Sequence, residues 1–233
     1  MKQKRDNAIL IFTKSPIPGQ VKTRLMPALS HENAAALADA LLALTLSTSL
    51  AVKNCHIELF IAGDVSHPFF HRYQQCPSIS THVQVGENLG ERLKNAIKAA
   101  FSRYKRVIII GSDCPLISTA YLDNAFQQLN KSADIVIGPA QDGGYVLLGL
   151  NTPQLSLFTD IPWSSDRVFA VTNDRINALN LKSMTLPTLW DIDIAEDLEK
   201  FTTWYHAHQA EIAASPFKSH YAELFRCCSI IAV

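Results

Sequence analysis

The chain carries no excess of charge: 21 Lys and Arg are matched by 21 Asp and Glu among 233 residues. A nucleic-acid or anionic-membrane surface shows itself as a basic excess, so the composition speaks against both partners. Any phosphate would have to be held by a local group of cations. The five cysteines (Cys55, Cys76, Cys114, Cys227, Cys228) are odd in number and form no CxxC. That argues against a disulfide framework or a zinc site and leaves them as structural thiols. Cys227-Cys228 is followed by five residues and is no prenylation box. The eight histidines contain no HExxH. No apolar run approaches the ~18 residues of a membrane span. The N-terminal MKQKRDN resembles a signal n-region, but the apolar AILIF after it is short, stops at Thr13-Lys14 and lacks a small-residue cleavage site. A soluble, cytoplasmic protein is expected. Neither GxxxxGK[ST] nor GxGxxG occurs.

What is present is a hydrophobic share of 48%, enough for a sizeable core at this length. Apolar, β-branched runs alternate with longer helical patterns. Strands are expected at Ala8–Phe12, Ile57–Ala62, Val83–Val85, Val107–Ile110, Asp134–Gly138 and Tyr145–Leu150, with a last strand or extended segment at Met184–Leu189. Helices are expected at His31–Leu50 behind Ser30, Leu89–Tyr104, Thr119–Leu129 behind Ser118, Arg167–Leu179 and Ile194–His208. Ser215–Val233 reads as irregular and then apolar. The alternation implies a mostly parallel sheet covered on both faces, in one domain spanning 1–233, with an antiparallel excursion at the fifth and sixth strands. Ligands of such sheets sit beyond the carboxyl ends of the strands, so the residues following each strand carry the functional reading.

After the first strand comes TKSPIPGQVKTRL. Pro16, Pro18 and Gly19 shape a stiff loop, and Lys14, Lys22 and Arg24, with Thr23 between the last two, place three cations within eleven residues. Such a loop suits a di- or triphosphate; the alternative is a solvated basic loop. VIIIGSDCP (107–115) releases a buried strand at Gly111-Ser112 and presents Asp113, where a carboxylate could hold Mg²⁺ or Mn²⁺. GPAQDGGY (138–145) reads as a hairpin turn at Asp142-Gly143-Gly144 or as a shaped ligand loop. In WDIDIAEDL (190–198), Asp191 and Asp193 alternate on an extended segment and are expected to face opposite ways. Asp193 either caps the next helix or joins Asp113 at a metal. IPWSS (161–165) presents Trp163 as a sugar platform, or enters a helix with Ser164 or Ser165 as its cap.

These five motifs, in this order from about Ile9 to Leu198, resemble a family of small bacterial GT-A-like proteins known as a domain of unknown function, some members of which are described as glycosyltransferases of arsenosugar biosynthesis. The resemblance implies the nucleotide-diphospho-sugar transferase fold, a three-layer α/β, Rossmann-like sandwich with a mixed, mostly parallel sheet. It implies metal positions at Asp113 and Asp193. Two departures stand out: Ile194-Ala195 replaces the usual Thr-Pro, and Thr13–Arg24 replaces the Gly-rich loop of the nucleotidyltransferases. The leading expectation is a glycosyltransferase that moves a sugar from a nucleoside diphosphate to a small acceptor. Lys14, Gly19, Lys22, Thr23 and Arg24 would hold the diphosphate, Asp142 would be the general base, and Gly143, Gly144, Tyr145 and Trp163 would contact substrate. The alternatives are a nucleotidyltransferase that joins an NTP to a phosphorylated small molecule and releases pyrophosphate, and a non-catalytic nucleotide-binding protein. Monomer and homodimer are both compatible with this reading.

Overall fold

The computed structural model describes residues 4–26 and 28–230. Its centre is β1 (Arg5–Lys14), whose Ala8, Ile9, Leu10 and Ile11 are wholly buried. Strand periodicity sends Ile9 and Ile11 to one face and Ala8 and Leu10 to the other, and both faces are covered. Parallel partners flank it: β2 (Cys55–Ala62) on one side and β4 (Tyr104–Gly111) on the other. With β3 (Ile79–Val83), β5 (Ile135–Pro139), β6 (Tyr145–Leu150) and β7 (Ser183–Thr185), the seven-stranded order is β3-β2-β1-β4-β6-β5-β7. β6 runs antiparallel to β4 and β5; the other pairings are parallel. This is the expected mixed, mostly parallel α/β sheet.

Helices α1 (His31–Leu50), α2 (Pro68–Gln74) and α4 (Thr119–Lys131) cover one face. α3 (Leu89–Phe101) and α5 (Val168–Ala178) cover the other. α6 (Ala195–Ala207), α7 (Gln209–Ala214) and α8 (Lys218–Cys228) pack with the outer face of α1 around Leu37, Leu41, Phe201 and Leu224. α1 is therefore apolar nearly all round because it lies between two layers. Contrary to the sequence-based expectation, α1 is long and apolar enough to cross a membrane by length and composition alone; here it is a core helix.

Ser30 and Ser118 cap α1 and α4 as expected, accepting from Asn33 N at 3.2 Å and Tyr121 N at 3.1 Å. Other expectations fail. The third strand is Ile79–Val83, not Val83–Val85, because the chain leaves the sheet at Gln84 and exposes Val85. α2 was not foreseen. Ser215 onward is not irregular: α8 buries Tyr221, Leu224, Cys227 and Cys228 at helical spacing. Of the apolar end Ser229–Val233, residues 231–233 lie outside the described residues. Neither Ser164 nor Ser165 is the N-cap of α5, which starts at Val168. Ser164 adopts φ 67°, and the Ser165 hydroxyl donates to Pro162 O at 2.7 Å.

Candidate active site

The chain leaves β1 toward β2 and β3, then crosses back through α3 to β4 on the other side of β1. The carboxyl ends of β1 and β4 thus flank a topological switch point, where a crevice is unavoidable. Phe12 pairs with Gly111, and just beyond them the hydroxyls of Thr13 and Ser112 lie 3.0 Å apart. The loop after β1 therefore faces Asp113.

That loop turns sharply. Ile17 N donates to Ser15 O at 2.7 Å and Gln20 N to Ile17 O at 3.0 Å, and Gly19 sits at φ 76°. Lys22 then adopts φ 51°, a left-handed conformation uncommon for a side chain of its size, before a single 3-10 turn at Thr23–Leu25. The turn aims Lys22 inward. Its ammonium lies 2.7 Å from Asp113 Oδ1 and donates to Ile192 O at 2.5 Å, with its side chain 5% exposed. Ile192 N donates to Asp113 O at 3.0 Å. Lys22 thereby ties together three segments: the loop after β1, the end of β4 and the stretch before α6.

Arg24 pairs with the Asp193 carboxylate. Asp193 is not the cap of α6. Ile194 holds that place, and Asp197, three residues on, reaches back to it, its Oδ2 accepting from Asp193 N and Ile194 N at 2.9 Å each. Asp193 is thus left facing the crevice. The expectation that Asp191 and Asp193 face opposite ways does not hold: residues two apart on an extended segment share a face, Ile192 between them is buried on the other, and both aspartates line the same cavity. Burial raises the Asp191 carboxyl to about 6, and the charges of Asp142 and Asp113 add to the effect against the opposing Lys22.

Two adjoining cavities result. One, of about 480 Å³, is lined by Lys14, Lys22, Thr23, Arg24 and Arg92, with Gln84, Ser112, Asp113 and Asp193. The Gln84 amide nitrogen donates to Thr13 O and Phe60 O, both at 3.0 Å, which fixes its orientation. The other, of about 520 Å³, is lined by Asp142, Gly144, Tyr145, Trp163, Asp166 and Asp191 among others. Phe12, Arg24, Leu89 and Asp193 border both.

Asp142 sits in the β5–β6 turn, its Oδ1 accepting from Gly144 N at 2.9 Å. The hairpin and ligand-loop readings of this segment are therefore compatible. Gly19 and Gly143 line neither cavity. Gly143, at φ 88°, instead lets Asp166 pack against the turn: an added Cβ would lie 2.0 Å from Asp166 O. Gly90 does the same for the Trp163 segment, where a Cβ would meet Phe158 O at 2.6 Å. Arg92, Gln84 and Asp166 were not singled out beforehand. Misplacing β3 by a few residues hid Gln84, and Arg92 read only as the polar face of an amphipathic helix.

For a metal, Asp113 and Asp193 offer hard carboxylate oxygens bordering one cavity, the donor type that Mg²⁺ or Mn²⁺ prefers. Among the described residues no three His, Cys, Asp or Glu converge on a single metal position. His67 and His71 stand four apart, but His67 caps α2, its Nδ1 accepting from Phe69 N at 3.3 Å.

Comparison with known proteins agrees with this architecture. A family model described as an uncharacterized protein conserved in bacteria (DUF2064) matches residues 45–165. The crystal structure of a Desulfovibrio desulfuricans G20 protein, provisionally assigned as a nucleotide-diphospho-sugar transferase, superposes with a TM-score of 0.82 at 30% identity, covering 96% of this chain and 95% of that one. A CMP:2-keto-3-deoxy-manno-octonic acid synthetase complexed with CTP superposes with a TM-score of 0.55 at 9% identity, over 84% and 96% of the two chains, a likeness of fold alone. The 2-phospho-L-lactate guanylyltransferase of Methanothermobacter thermautotrophicus is 33% identical over 141 residues, 58% of this chain and 59% of that protein. Its Methanocaldococcus jannaschii counterpart is 42% identical over 65 residues, 27% and 29% of the two chains. The chain thus spans less than two thirds of each of these curated relatives. With its family model matched over half of its length and its fold shared almost end to end with a nucleotide-diphospho-sugar transferase-like structure, the chain belongs to the bacterial DUF2064 family.

Proposed function

We propose that this protein is a nucleotidyltransferase, taking a nucleoside triphosphate in the cation-lined cavity and an acceptor in the cavity beside it. The observation that carries the reading is the gathering of Lys14, Lys22, Arg24 and Arg92 around one crevice at the switch point. The chain is neutral overall, so this local concentration of cations is what can hold a triphosphate. The partial alignment with two guanylyltransferases supports nucleotidyl over glycosyl transfer, and makes GTP the first donor to try.

In this reading an acceptor oxygen attacks the α-phosphorus. The new O–P bond forms as the bond from that phosphorus to the bridging oxygen breaks, and pyrophosphate leaves with the electron pair. The acceptor proton passes to Asp142, the exposed carboxylate at the tip of the β5–β6 turn. Lys14 and Arg92 hold phosphate oxygens, and Thr23 offers a hydroxyl. Gln84, its amide nitrogen already engaged, presents its oxygen as an acceptor for the donor nucleotide. Gly144 and Tyr145 shape the acceptor wall and Trp163 offers a ring face, while Gly19 and Gly143 act through the turns they permit. Asp113 and Asp193 would hold Mg²⁺ or Mn²⁺, whose charge would offset that of the phosphates and the leaving pyrophosphate. Lys22 and Arg24 already pair with these carboxylates, so a divalent ion competes with them for the same oxygens.

Glycosyl transfer is the second reading. The likeness to the Desulfovibrio structure over nearly the whole chain favours it, as does a Trp-bearing cavity suited to a sugar ring. The two readings differ in their by-product. Pyrophosphate released from GTP or another triphosphate, in the presence of Mg²⁺ or Mn²⁺ and an acceptor pool, supports nucleotidyl transfer. A free nucleoside diphosphate released from a nucleotide sugar, with no pyrophosphate from any triphosphate, contradicts it.

A further inference from the structure

We infer that the acceptor of this protein bears no phosphate: the cavity beside the nucleotide crevice is built for a neutral or cationic hydroxyl compound and repels a phosphomonoester. The inference rests on the assignment of the two cavities made above, and it holds for either kind of transfer. Asp142, Asp166, Asp191 and Asp193 line this cavity against one cation, Arg24, and Arg24 is paired with Asp193. Among the described residues no lysine or histidine lines it.

A phosphomonoester brings close to two negative charges at neutral pH and needs a fork of Arg or Lys donors to replace its water. The adjoining cavity has such donors in Lys14 and Arg92, neither of which borders this one. A divalent ion held by Asp113 and Asp193 would not change the balance, because the donor's own phosphates match its charge. What the acid cavity does offer suits a polyol or amino alcohol: carboxylate acceptors for hydroxyl or ammonium hydrogens, and the Trp163 ring for the apolar face of a sugar.

The test uses matched probes that differ only in the phosphate: glucose with glucose 6-phosphate, and ethanolamine with phosphoethanolamine. Each is titrated into the full chain while the fluorescence change lost in Trp163→Phe is followed, with 2-phospho-L-lactate as a further phosphorylated probe. The unphosphorylated member of each pair should bind roughly tenfold more tightly or better, as expected for like charges brought together in a partly buried wall. Asp166→Lys should narrow the gap. Equal or tighter binding of the phosphorylated members overturns the inference, and so does the absence of a Trp163-dependent signal with every probe. GTP affinity measured on the same samples separates the two claims. Loss of GTP binding with the probe preference intact contradicts the donor assignment and leaves the acceptor inference standing.

Discussion

The Lys22 ammonium lies 2.7 Å from Asp113 Oδ1 and is almost wholly shielded, although Asp113 itself is half exposed. A lysine shielded to this degree is stable only when paired and hydrogen-bonded, and Lys22 has both Asp113 and the Ile192 carbonyl. Replacing it with Met keeps the apolar stem and removes both interactions. Lys22→Met should cost about 2 kcal/mol in urea unfolding, the scale of a hydrogen bond to a charged group. It should also weaken GTP binding by roughly tenfold or more, one charge-assisted contact being worth over 1.4 kcal/mol. Unchanged stability together with unchanged affinity would remove Lys22 from the site.

Asp191 is held in an environment that penalises its charge. Burial and the neighbouring carboxylates of Asp142 and Asp113 raise it from 3.8 to about 6. The folded state therefore binds the proton more tightly than the unfolded state, and stability falls as pH rises from about 3.8 to about 6. Asp191→Asn, which mimics the neutral form, should stabilise the protein at pH 7 by roughly 3 kcal/mol. The gain should vanish below pH 4. Urea midpoints at pH 7 and pH 3.5 check both parts.

Glu58 acts in the opposite direction, far from the site. It is 1% exposed; burial alone would raise its carboxyl. The close approach of the His82 ring, the hydroxyl that Tyr104 donates and the charge of Arg103 overcome that and hold it at about 2. The His82 Nε2, Tyr104 hydroxyl and Arg103 guanidinium stand 2.6, 2.6 and 2.7 Å from its oxygens. Its stabilisation is complete above pH 4.5 and is lost as pH falls from about 4.5 to about 2. The loss amounts to roughly 3 kcal/mol. Acid unfolding followed by circular dichroism should show this dependence, and Glu58→Gln should abolish it while lowering stability at pH 7.

Gly143 combines φ 88° with a gap too small for a methyl group, its would-be Cβ lying 2.0 Å from Asp166 O. Backbone cannot yield there as a long side chain can. Gly143→Ala should lower stability by about 2 kcal/mol or more and displace the 163–168 segment. Because Trp163 and Asp166 belong to the acceptor wall, acceptor KM should rise more than donor KM. Equal effects on both would mean that the turn supports the whole site rather than one cavity.

Much of this architecture is legible in the residues themselves. Ile9 and Ile11 alternate with Ala8 and Leu10 in a run too apolar for an exposed strand, and Ser30 precedes a long helix with no competing turn residue. The cations of the loop after β1 and the aspartate after β4 could be picked out because a switch point lies beyond strand ends. The rest depended on packing at long range. α8 is rich in aromatic, His and Cys residues, weak helix formers individually, and is stabilised by contact with α1 and α6. That Asp197 reaches back to the start of α6, leaving the Asp193 carboxylate to Arg24 and the crevice, turns on which of four nearby carboxylates does so, and spacing does not distinguish them. Asp191 and Asp193 line one cavity because residues two apart on an extended segment share a face, with Ile192 buried between them; strand alternation predicts this, and the opposite-face expectation misapplied it. Arg92 becomes part of the crevice only when α3 is docked on the sheet.

Calorimetric titration of GTP, CTP and UDP-glucose into the purified chain, with Mg²⁺, with Mn²⁺ and with EDTA, tests the central claim most directly. The account predicts that a nucleoside triphosphate binds at one site, that Arg92→Ala and Lys14→Ala each weaken it about tenfold or more, and that Trp163→Phe leaves it unchanged. Triphosphate binding that ignores Lys14 and Arg92, or no nucleotide binding under any of these conditions, would contradict it.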